Sequence, residues 1–203
     1  MKEREPLNLI VCGIGGQGNV LLSRLLARAF YKKGYNATVG ETFGLSQRGG
    51  NVMSHVRISR KRLYGPLIPE GQGHIIVSLE PLETVRALGG YGNPEIAVIS
   101  NLRPVYPIAA IIGEKEYPDM GEIRRIIREL SAKCWFLDAT QISLEMGNPI
   151  LANMIMMGTL VQANVVDLTM SDIEATLHGT FTKKVAQTNI IAATRGMQAV
   201  QNQ

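Results

Sequence analysis

The chain has 203 residues, of which 45% are hydrophobic and 19% charged, a composition typical of a globular protein. This length suits a single α/β domain over residues 1–203 and excludes two ordinary domains with linkers. The net charge of +4 is modest, and no platform of aromatic and basic residues accompanies it, so we exclude nucleic-acid binding. A basic cluster spans residues 57–62, where a solvated hairpin is expected and a contact with an acidic partner or phosphate is the alternative.

The cysteines and histidines do not form a recognisable metal-binding pattern. Cys12 and Cys134 lie in apolar, strand-like runs and are expected to be buried thiols in a reducing compartment. No C-x-x-C pair occurs, so the chain alone is not expected to bind an iron–sulfur cluster or a cysteine-type zinc ion. The N-terminus carries both signs of charge and does not resemble a signal peptide. We therefore expect a soluble, cytoplasmic protein without a metal site or membrane contact.

A glycine-rich loop follows the first predicted strand, residues 9–12. The loop satisfies the pattern G-x-G-x-x-G immediately before a predicted helix. Glycine lets the backbone turn tightly, and the N–H groups of the first helical turn favour an anion. The loop therefore predicts a phosphate or carboxylate site, and glycine used for packing alone is the alternative. The candidate residues are Gly13, Gly15, Gly16, Gln17 and Gly18.

The first predicted helix is amphipathic and ends before Gly34. Its apolar stripe comprises Leu22, Leu25, Leu26, Ala29 and Phe30. The opposite, solvated face carries Arg24, Arg28 and Lys32. A second strand over residues 36–40 ends before Glu41, about 20 positions past the glycines, where dinucleotide-binding proteins carry an acid for the ribose hydroxyls.

Predicted strands and helices alternate along the rest of the chain. Residues 52–58 alternate in polarity, which predicts an outer strand or one exposed on a single face. Apolar strands are predicted at residues 74–79, 95–100 and 134–137, with helix caps at Asp119 and Ser171 and a terminal helix over 182–200. This order predicts an α/β, Rossmann-like three-layer domain with a mostly parallel sheet and helices on both faces.

Residues 146–166 form an unusual segment of 21 positions without a charge. Its length would suit a transmembrane helix, but Pro149 and several asparagine and glutamine residues argue against one. A helix that is apolar on all sides must be covered on all sides. Either another chain supplies part of this cover, as in a homodimer or hetero-oligomer, or the helix is internal.

Three motifs together resemble one protein family over nearly the whole chain. They are Gly-Ile-Gly-Gly-Gln-Gly at 13–18, the segment 41–51 containing Ser-Gln-Arg-Gly-Gly followed by Ser-His-Val-Arg at 54–57, and Gly-Asn-Pro at 147–149 with Asn153 and Met-Gly at 157–158. This combination resembles the gamma subunit or gamma domain of the 2-oxoacid:ferredoxin oxidoreductases. Within that family it is most similar to the small beta subunits of indolepyruvate:ferredoxin oxidoreductases.

The resemblance implies a role in a larger complex. Enzymes of this family oxidatively decarboxylate 2-oxoacids on thiamine diphosphate, pass electrons through iron–sulfur clusters to ferredoxin and form acyl-coenzyme A. The chain lacks the Gly-Asp-Gly motif of thiamine enzymes and the cluster cysteines. It is therefore expected to be an inactive subunit in isolation, without catalytic residues of its own. Thiamine diphosphate, magnesium and the clusters would belong to a larger partner subunit.

The resemblance also changes the interpretation of the two candidate loops. It does not imply NAD binding, so Gln17 and Gly18 would hold a phosphate of coenzyme A or a carboxylate, or the loop would abut the partner. The second loop contributes Gln47, Arg48, Gly49 and Gly50. The Arg48 guanidinium suits a bidentate contact with an anion, and a structural ion pair with Glu41 is the alternative. His55 and Arg57 share a strand face nearby, where a packed or solvated histidine is expected.

A stand-alone NAD(P)- or nucleotide-binding Rossmann protein remains the alternative function. It rests on the glycine pattern and on Glu41.

Overall fold

A central mixed sheet organises the part of the chain that is described. The structure is a computed structural model that describes residues 4–43, 50–114 and 116–201. Within these residues the strands are β1 (Leu7–Ile14), β2 (Asn36–Phe43), β3 (Asn51–Ser59), β4 (Ile75–Ser78), β5 (Ala97–Asn101) and β6 (Lys133–Leu137). They are ordered β2-β3-β1-β4-β5-β6.

Eight α-helices accompany this sheet in the described ranges. They are α1 (Asn19–Lys32), α2 (Pro81–Tyr91), α3 (Ile108–Ile111), α4 (Met120–Glu129), α5 (Ala139–Glu145), α6 (Ala152–Gln162), α7 (Met170–His178) and α8 (Lys183–Gln201). A short 3-10 helix at Pro149–Leu151 precedes α6.

The sheet is parallel on one side and antiparallel on the other. Strands β1, β4, β5 and β6 are parallel neighbours, whereas β3 is antiparallel to both β1 and β2. A parallel neighbour needs a long crossover, and no helix separates β2 from β3 in the described residues, so β3 returns antiparallel. The predicted α/β fold with a mostly parallel sheet is confirmed.

Both faces of the sheet are covered by helices. Leu9 and Val11 of β1 pack in a core with α1, α6, α7 and α8, whereas Ile10 and Cys12 pack in a second core with α2 and α4. Successive side chains of a strand point to opposite faces, so burial on both faces requires the continuous apolar run of β1. The predicted stripe of α1 is buried, and Gly34 follows the helix with a positive φ of 84°.

The position predicted for β3 is partly wrong. This strand lies second from the edge, between β2 and β1, so it is not the outer strand. Val52, Val56 and Ile58 are buried on one face, and His55 is 1% exposed on the other. Because the segment after β3 folds back over this second face, Ile68 packs in the second core and covers positions that alternation alone predicts to be open.

Helix caps agree with the sequence at one predicted site and not at the other. Asp119 caps α4 by accepting hydrogen bonds from the N–H groups of Gly121 and Glu122. The capping box of α7 is formed by Thr169 and Asp172, rather than by Ser171 and Glu174. The helix therefore begins two residues earlier than predicted. Both pairs have the spacing of a capping box, so spacing alone does not distinguish them.

The helical part of the uncharged segment is covered by the chain itself, whereas Ile150 just before it is 66% exposed. Every residue from Ala152 to Leu160 in α6 is buried, against α8, α1 and α5. A Cβ atom at Gly158 would collide with the Ala193 carbonyl, and one at Gly196 would collide with the Ile155 carbonyl. The glycines thus let α6 and α8 cross closely, and the internal-helix alternative is the observed one. No helix in the described ranges is long and apolar enough to cross a membrane.

Candidate functional site

The glycine loop (residues 13–18) is held by the side chain of Gln17. Its Oε1 accepts a hydrogen bond from the Ile14 N–H at 2.7 Å, and its Nε2 donates to the Leu79 carbonyl at 3.0 Å. Ile14 ends β1, and Leu79 directly follows β4. The Gln17 amide therefore bridges the carboxyl ends of two parallel strands.

Helix α1 begins with an open N-terminus at this loop. Gly18 is the N-cap residue with a φ of 86°, a left-handed conformation that favours glycine, and it provides no side-chain cap. The N–H groups of Asn19, Val20 and Leu21 have no acceptor among the described residues. Since these groups lie at the positive end of the helix dipole, they favour an anion.

Asn153 closes the other side of Gly18. Its Nδ2 lies 3.4 Å from the Gly18 carbonyl oxygen, and a Cβ atom at Gly18 would collide with the Asn153 amide. The asparagine is 1% exposed and belongs to the buried helix α6. The Gly-Asn-Pro segment thus leads into a residue that supports the glycine loop, a connection that spans 135 positions in sequence.

A cavity of about 400 Å³ lies beside the loop. Its walls are the loop glycines, the first turn of α1, Val52 of β3, Arg24 and Glu41. Arg24 is 67% exposed and lies 3.1 Å from the Glu41 carboxylate, whose exposure is 17%. The volume suits a small-molecule site, and the helix terminus favours an anionic group there, whereas the charges of Arg24 and Glu41 balance each other at the rim.

Glu41 does not occupy the position of a ribose-binding acid. Its strand β2 is separated from β1 by β3, with Glu41 opposite Ser54 and Ser54 opposite Val11. Two strand spacings place Glu41 about 10 Å from β1 across the sheet. In the dinucleotide-binding arrangement the acid follows the strand adjacent to β1. The carboxylate instead pairs with Arg24, which the sequence placed on a solvated face.

The second candidate loop meets the first at Gly50. The Gly50 carbonyl accepts a hydrogen bond from the Gly15 N–H at 2.8 Å. Gln47, Arg48 and Gly49 lie outside the described residues. The structure therefore joins the two loops through their glycines.

A polar network that the sequence did not predict continues along the same edge. The Asn101 Nδ2 donates to the Leu79 carbonyl at 3.0 Å, and its Oδ1 accepts from the Ala139 N–H at 2.9 Å. The buried Glu80 carboxylate accepts from the Tyr117 hydroxyl at 2.5 Å and the Val105 N–H at 3.2 Å. Burial and this carboxylate raise the pKa of Tyr117 well above its usual range. The feature of the sequence that indicates this network is the polar residue at the end of each apolar strand.

The basic cluster serves the fold. Arg57 donates to the Asn8 side chain and to the carbonyls of Gly65 and Leu67. Arg60 donates to the Tyr35 hydroxyl at 2.6 Å. These contacts attach the segment after β3 to the sheet, so the cluster is not simply a solvated hairpin.

His55 is a packed residue, in agreement with the sequence. Its Nδ1 accepts from the Ile68 N–H at 3.3 Å, and its ring meets Tyr91 edge to face. Burial lowers its pKa, which favours the neutral imidazole.

The cysteines do not fit an iron–sulfur cluster. Cys12 on β1 and Cys134 on β6 are free thiols separated by β4 and β5, about 14 Å by strand spacing. Burial raises the pKa of the Cys12 thiol to about 12. Within the described residues, no group of three or more His, Cys, Asp or Glu side chains is arranged to hold a metal ion.

The comparisons with known proteins identify the family. The model of the family "Pyruvate ferredoxin/flavodoxin oxidoreductase" matches residues 8–199, and the chain belongs to this family. Among curated proteins, the chain is 34% identical to "Indolepyruvate oxidoreductase subunit IorB" of Pyrococcus horikoshii, over 95% of both chains. The family resemblance inferred from the sequence motifs is confirmed.

Solved structures share the fold. A keto/oxoacid ferredoxin oxidoreductase gamma subunit from Geobacter sulfurreducens superposes with a TM-score of 0.68 at 18% identity, covering 98% of this chain and 100% of that one. A 2-oxoglutarate:ferredoxin oxidoreductase from Magnetococcus marinus has a TM-score of 0.75 at 20% identity and covers 99% of this chain. The chain spans 32% of that protein's length.

Proposed function

We propose that this chain is the small subunit of a 2-oxoacid:ferredoxin oxidoreductase complex of the indolepyruvate type, which converts 2-oxoacids to acyl-coenzyme A. The observation that carries this proposal is the 34% identity, over 95% of both chains, with a protein named as an indolepyruvate oxidoreductase subunit. Residues 1–203 then correspond to one gamma-type domain, consistent with one sheet joining both cores.

The chemistry of the complex requires groups that this chain does not provide. A cluster of the common type takes four cysteine thiolates, and the chain has two cysteines on non-adjacent strands. We therefore assign thiamine diphosphate, magnesium and the iron–sulfur clusters to a larger partner subunit, through which ferredoxin is reduced. No catalytic residue is assigned to this chain alone.

The glycine loop and the loop ending at Gly50 are assigned to an anionic group, with a phosphate of coenzyme A or a carboxylate as the ligand. Two features support this assignment: the N–H groups of the first turn of α1, which have no acceptor among the described residues, and the cavity of about 400 Å³ beside them. The residues of this chain would bind and orient the anion while the reaction proceeds on the partner. A loop that only packs against the partner is the alternative.

A dinucleotide-binding function is less well supported. In open α/β sheets the ligand enters the crevice between the carboxyl ends of neighbouring strands at the switch point. Here Gln17 bridges Ile14 and Leu79 across that position, and Glu41 is two strands from β1 and paired with Arg24. These contacts favour the subunit function over a stand-alone NAD(P)-binding protein.

The cellular setting follows from the same features. Free thiols at Cys12 and Cys134 suit a reducing compartment, so we place the complex in the cytoplasm. A homodimer was expected because an apolar helix needs cover on all sides, and α6 receives this cover within the chain.

Reconstitution tests the proposed function. The purified chain is expected to be colourless and unable to reduce a dye with any 2-oxoacid. Adding a larger subunit that carries the thiamine and cluster sites is expected to restore turnover dependent on coenzyme A. Indolepyruvate, phenylpyruvate, pyruvate and 2-oxoisovalerate are compared as substrates. Turnover by the lone chain, or NADH retained through purification, would contradict the proposal and support the dinucleotide alternative.

A further inference from the structure

A second cavity lies at the opposite edge of the sheet from the glycine loop. Its volume is about 130 Å³, and it opens at the amino ends of the parallel strands. Leu7 of β1, Ile75 of β4 and Ala97 of β5 form its wall with Val165 from the connection between α6 and α7. The space is therefore separate from the site of the proposed function and does not depend on it.

The local sequence explains why this space is open and apolar. Ala97 is small where the neighbouring strand carries Ile75, so the wall recedes at β5. Asn164 adopts a positive φ of 53°, which turns the chain after α6 before Val165 reaches the wall. An enclosed, engineered cavity of about 150 Å³ binds benzene, and the present space is of similar volume but open on one side. The cavity thus has the size and lining for a phenyl ring or a branched aliphatic group.

The mouth of the cavity combines charged groups with a neutral hydrogen-bond donor. Arg4 is paired with Glu95 at 3.4 Å, whereas Lys133 has no ion-pair partner among the described residues. His74 accepts a hydrogen bond at Nδ1 from the Asn8 N–H at 2.9 Å. Burial lowers the pKa of His74 to about 4, so the ring is neutral at physiological pH and carries its proton on Nε2.

We propose that this cavity binds a compact monocarboxylate whose apolar body has the size of a phenyl ring. The body packs on Leu7, Ile75 and Ala97, and the carboxylate lies at the mouth between the Lys133 ammonium and the His74 Nε2–H. The charges of Arg4 and Glu95 cancel, so Lys133 gives the mouth of the cavity a net positive charge. This charge favours an anion over a neutral molecule of the same shape.

Benzoate and its neutral isostere benzamide test this proposal on the full-length chain. Binding is followed by the chemical shifts of ¹³C-labelled alanine methyl groups, with Ala97 as the reporter, and by calorimetry. Benzoate is expected to bind with a dissociation constant on the order of 1 mM, as befits a ligand of this size. Benzamide is expected to bind about tenfold more weakly, since it lacks the charge-assisted contact.

Variants separate the two parts of the site. Ala132→Leu places a side chain at the exposed mouth and should abolish benzoate binding without disturbing the core, and Ala97→Leu should do so by filling the wall. Lys133→Ala should weaken benzoate about tenfold and leave benzamide unchanged. Lys184→Ala, an exposed lysine on α8, is the matched control and should have no effect.

Several outcomes would overturn the proposal. They are the absence of a benzoate-dependent shift at Ala97, equal binding of benzoate and benzamide, and binding that survives Ala132→Leu in a folded protein. Because none of these measurements requires the partner subunit or 2-oxoacid turnover, failure here is distinguishable from failure of the proposed function.

Discussion

The Gln17 amide donates to the Leu79 carbonyl at 3.0 Å and thereby joins the glycine loop to the end of β4. Neighbouring carboxyl ends at a topological switch point usually form the ligand crevice of an open α/β sheet. With this crevice bridged by a side chain, the cavity opens instead on the other side of the loop, toward Val52 and Arg24. The glycine pattern therefore borders a different space from the crevice of a dinucleotide-binding protein.

Replacing Gln17 should destabilise the fold and disturb the loop. Gln17→Ala removes both hydrogen bonds and leaves the Ile14 N–H without its partner, which costs about 1–3 kcal/mol of unfolding free energy. Gln17→Glu can accept from Ile14 but cannot donate to Leu79, so it should also be destabilising. Urea unfolding measures both effects. The exposed Gln187→Ala on α8 is the control, and an equal effect there would refute the bridging role.

The close crossing of α6 and α8 gives a second prediction. Gly158→Ala would place a methyl group against the Ala193 carbonyl, and separating the helices to accommodate it should cost about 1–3 kcal/mol. Gly89→Ala in α2 is the matched control, since no atom lies within 4 Å of its added Cβ. This control should stabilise the protein by about 0.5–1 kcal/mol through helix propensity. Thermal melting of both variants checks the opposite signs.

The half-buried position of His74 predicts a pH dependence of stability. Burial lowers its pKa from 6.5 to about 4 in the folded protein, so the unfolded chain binds more protons between these values. Stability should therefore fall as the pH drops through this window, by about 1–2 kcal/mol from this residue after allowance for solvent screening of the half-buried ring. His74→Asn retains an acceptor for the Asn8 N–H and cannot be protonated in this range.

Urea titrations of the wild type and His74→Asn at several pH values isolate this contribution, because other acidic groups affect both proteins. The difference between their unfolding free energies should shrink as the pH falls from 6.5 to about 4. A constant difference across this range would show that His74 has an ordinary pKa.

Local patterns predicted the elements of the fold but not the pairing of β3. The apolar run of β1 reflects burial on two faces, and the apolar stripe of α1 reflects burial on one. Residue spacing predicts both. The position of β3 between β2 and β1 depends on contacts between distant segments. Its alternating polarity is also typical of an edge strand, so the local pattern predicted the wrong position. The internal position of α6 likewise depends on Gly196 of α8, 38 positions after Gly158.

The candidate site was predictable where one segment forms it and not where several segments meet. The glycine loop and its helix N-terminus follow from a single strand-loop-helix unit. Arg24 and Glu41 form an ion pair between α1 and β2, and Asn153 reaches Gly18 from α6. Each of these residues has an ordinary local setting, so only the fold reveals that they surround the same loop.

The assignment of the loop ending at Gly50 predicts a kinetic effect of Arg48. If this residue orients an anionic group of coenzyme A or substrate, Arg48→Ala should leave folding and complex assembly nearly intact. The loss of one charge-assisted contact, about 1.5–3 kcal/mol, should appear as a raised Michaelis constant or slower turnover of the assembled complex. Arg48→Lys should recover only part of this loss, because an ammonium group lacks the planar fork.

A structural role for Arg48 predicts a different set of results. If it only ties its loop to Glu41, its removal should lower the melting temperature or prevent assembly, with normal kinetics in any complex that forms. Glu41 already pairs with Arg24 at 3.1 Å, which favours the kinetic outcome. Arg195→Ala, an exposed position on α8, controls for loss of a positive charge. Melting temperature, pull-down and steady-state rates measured on these variants separate the two roles, and an Arg48→Ala complex that is normal in all three assays would remove Arg48 from the site.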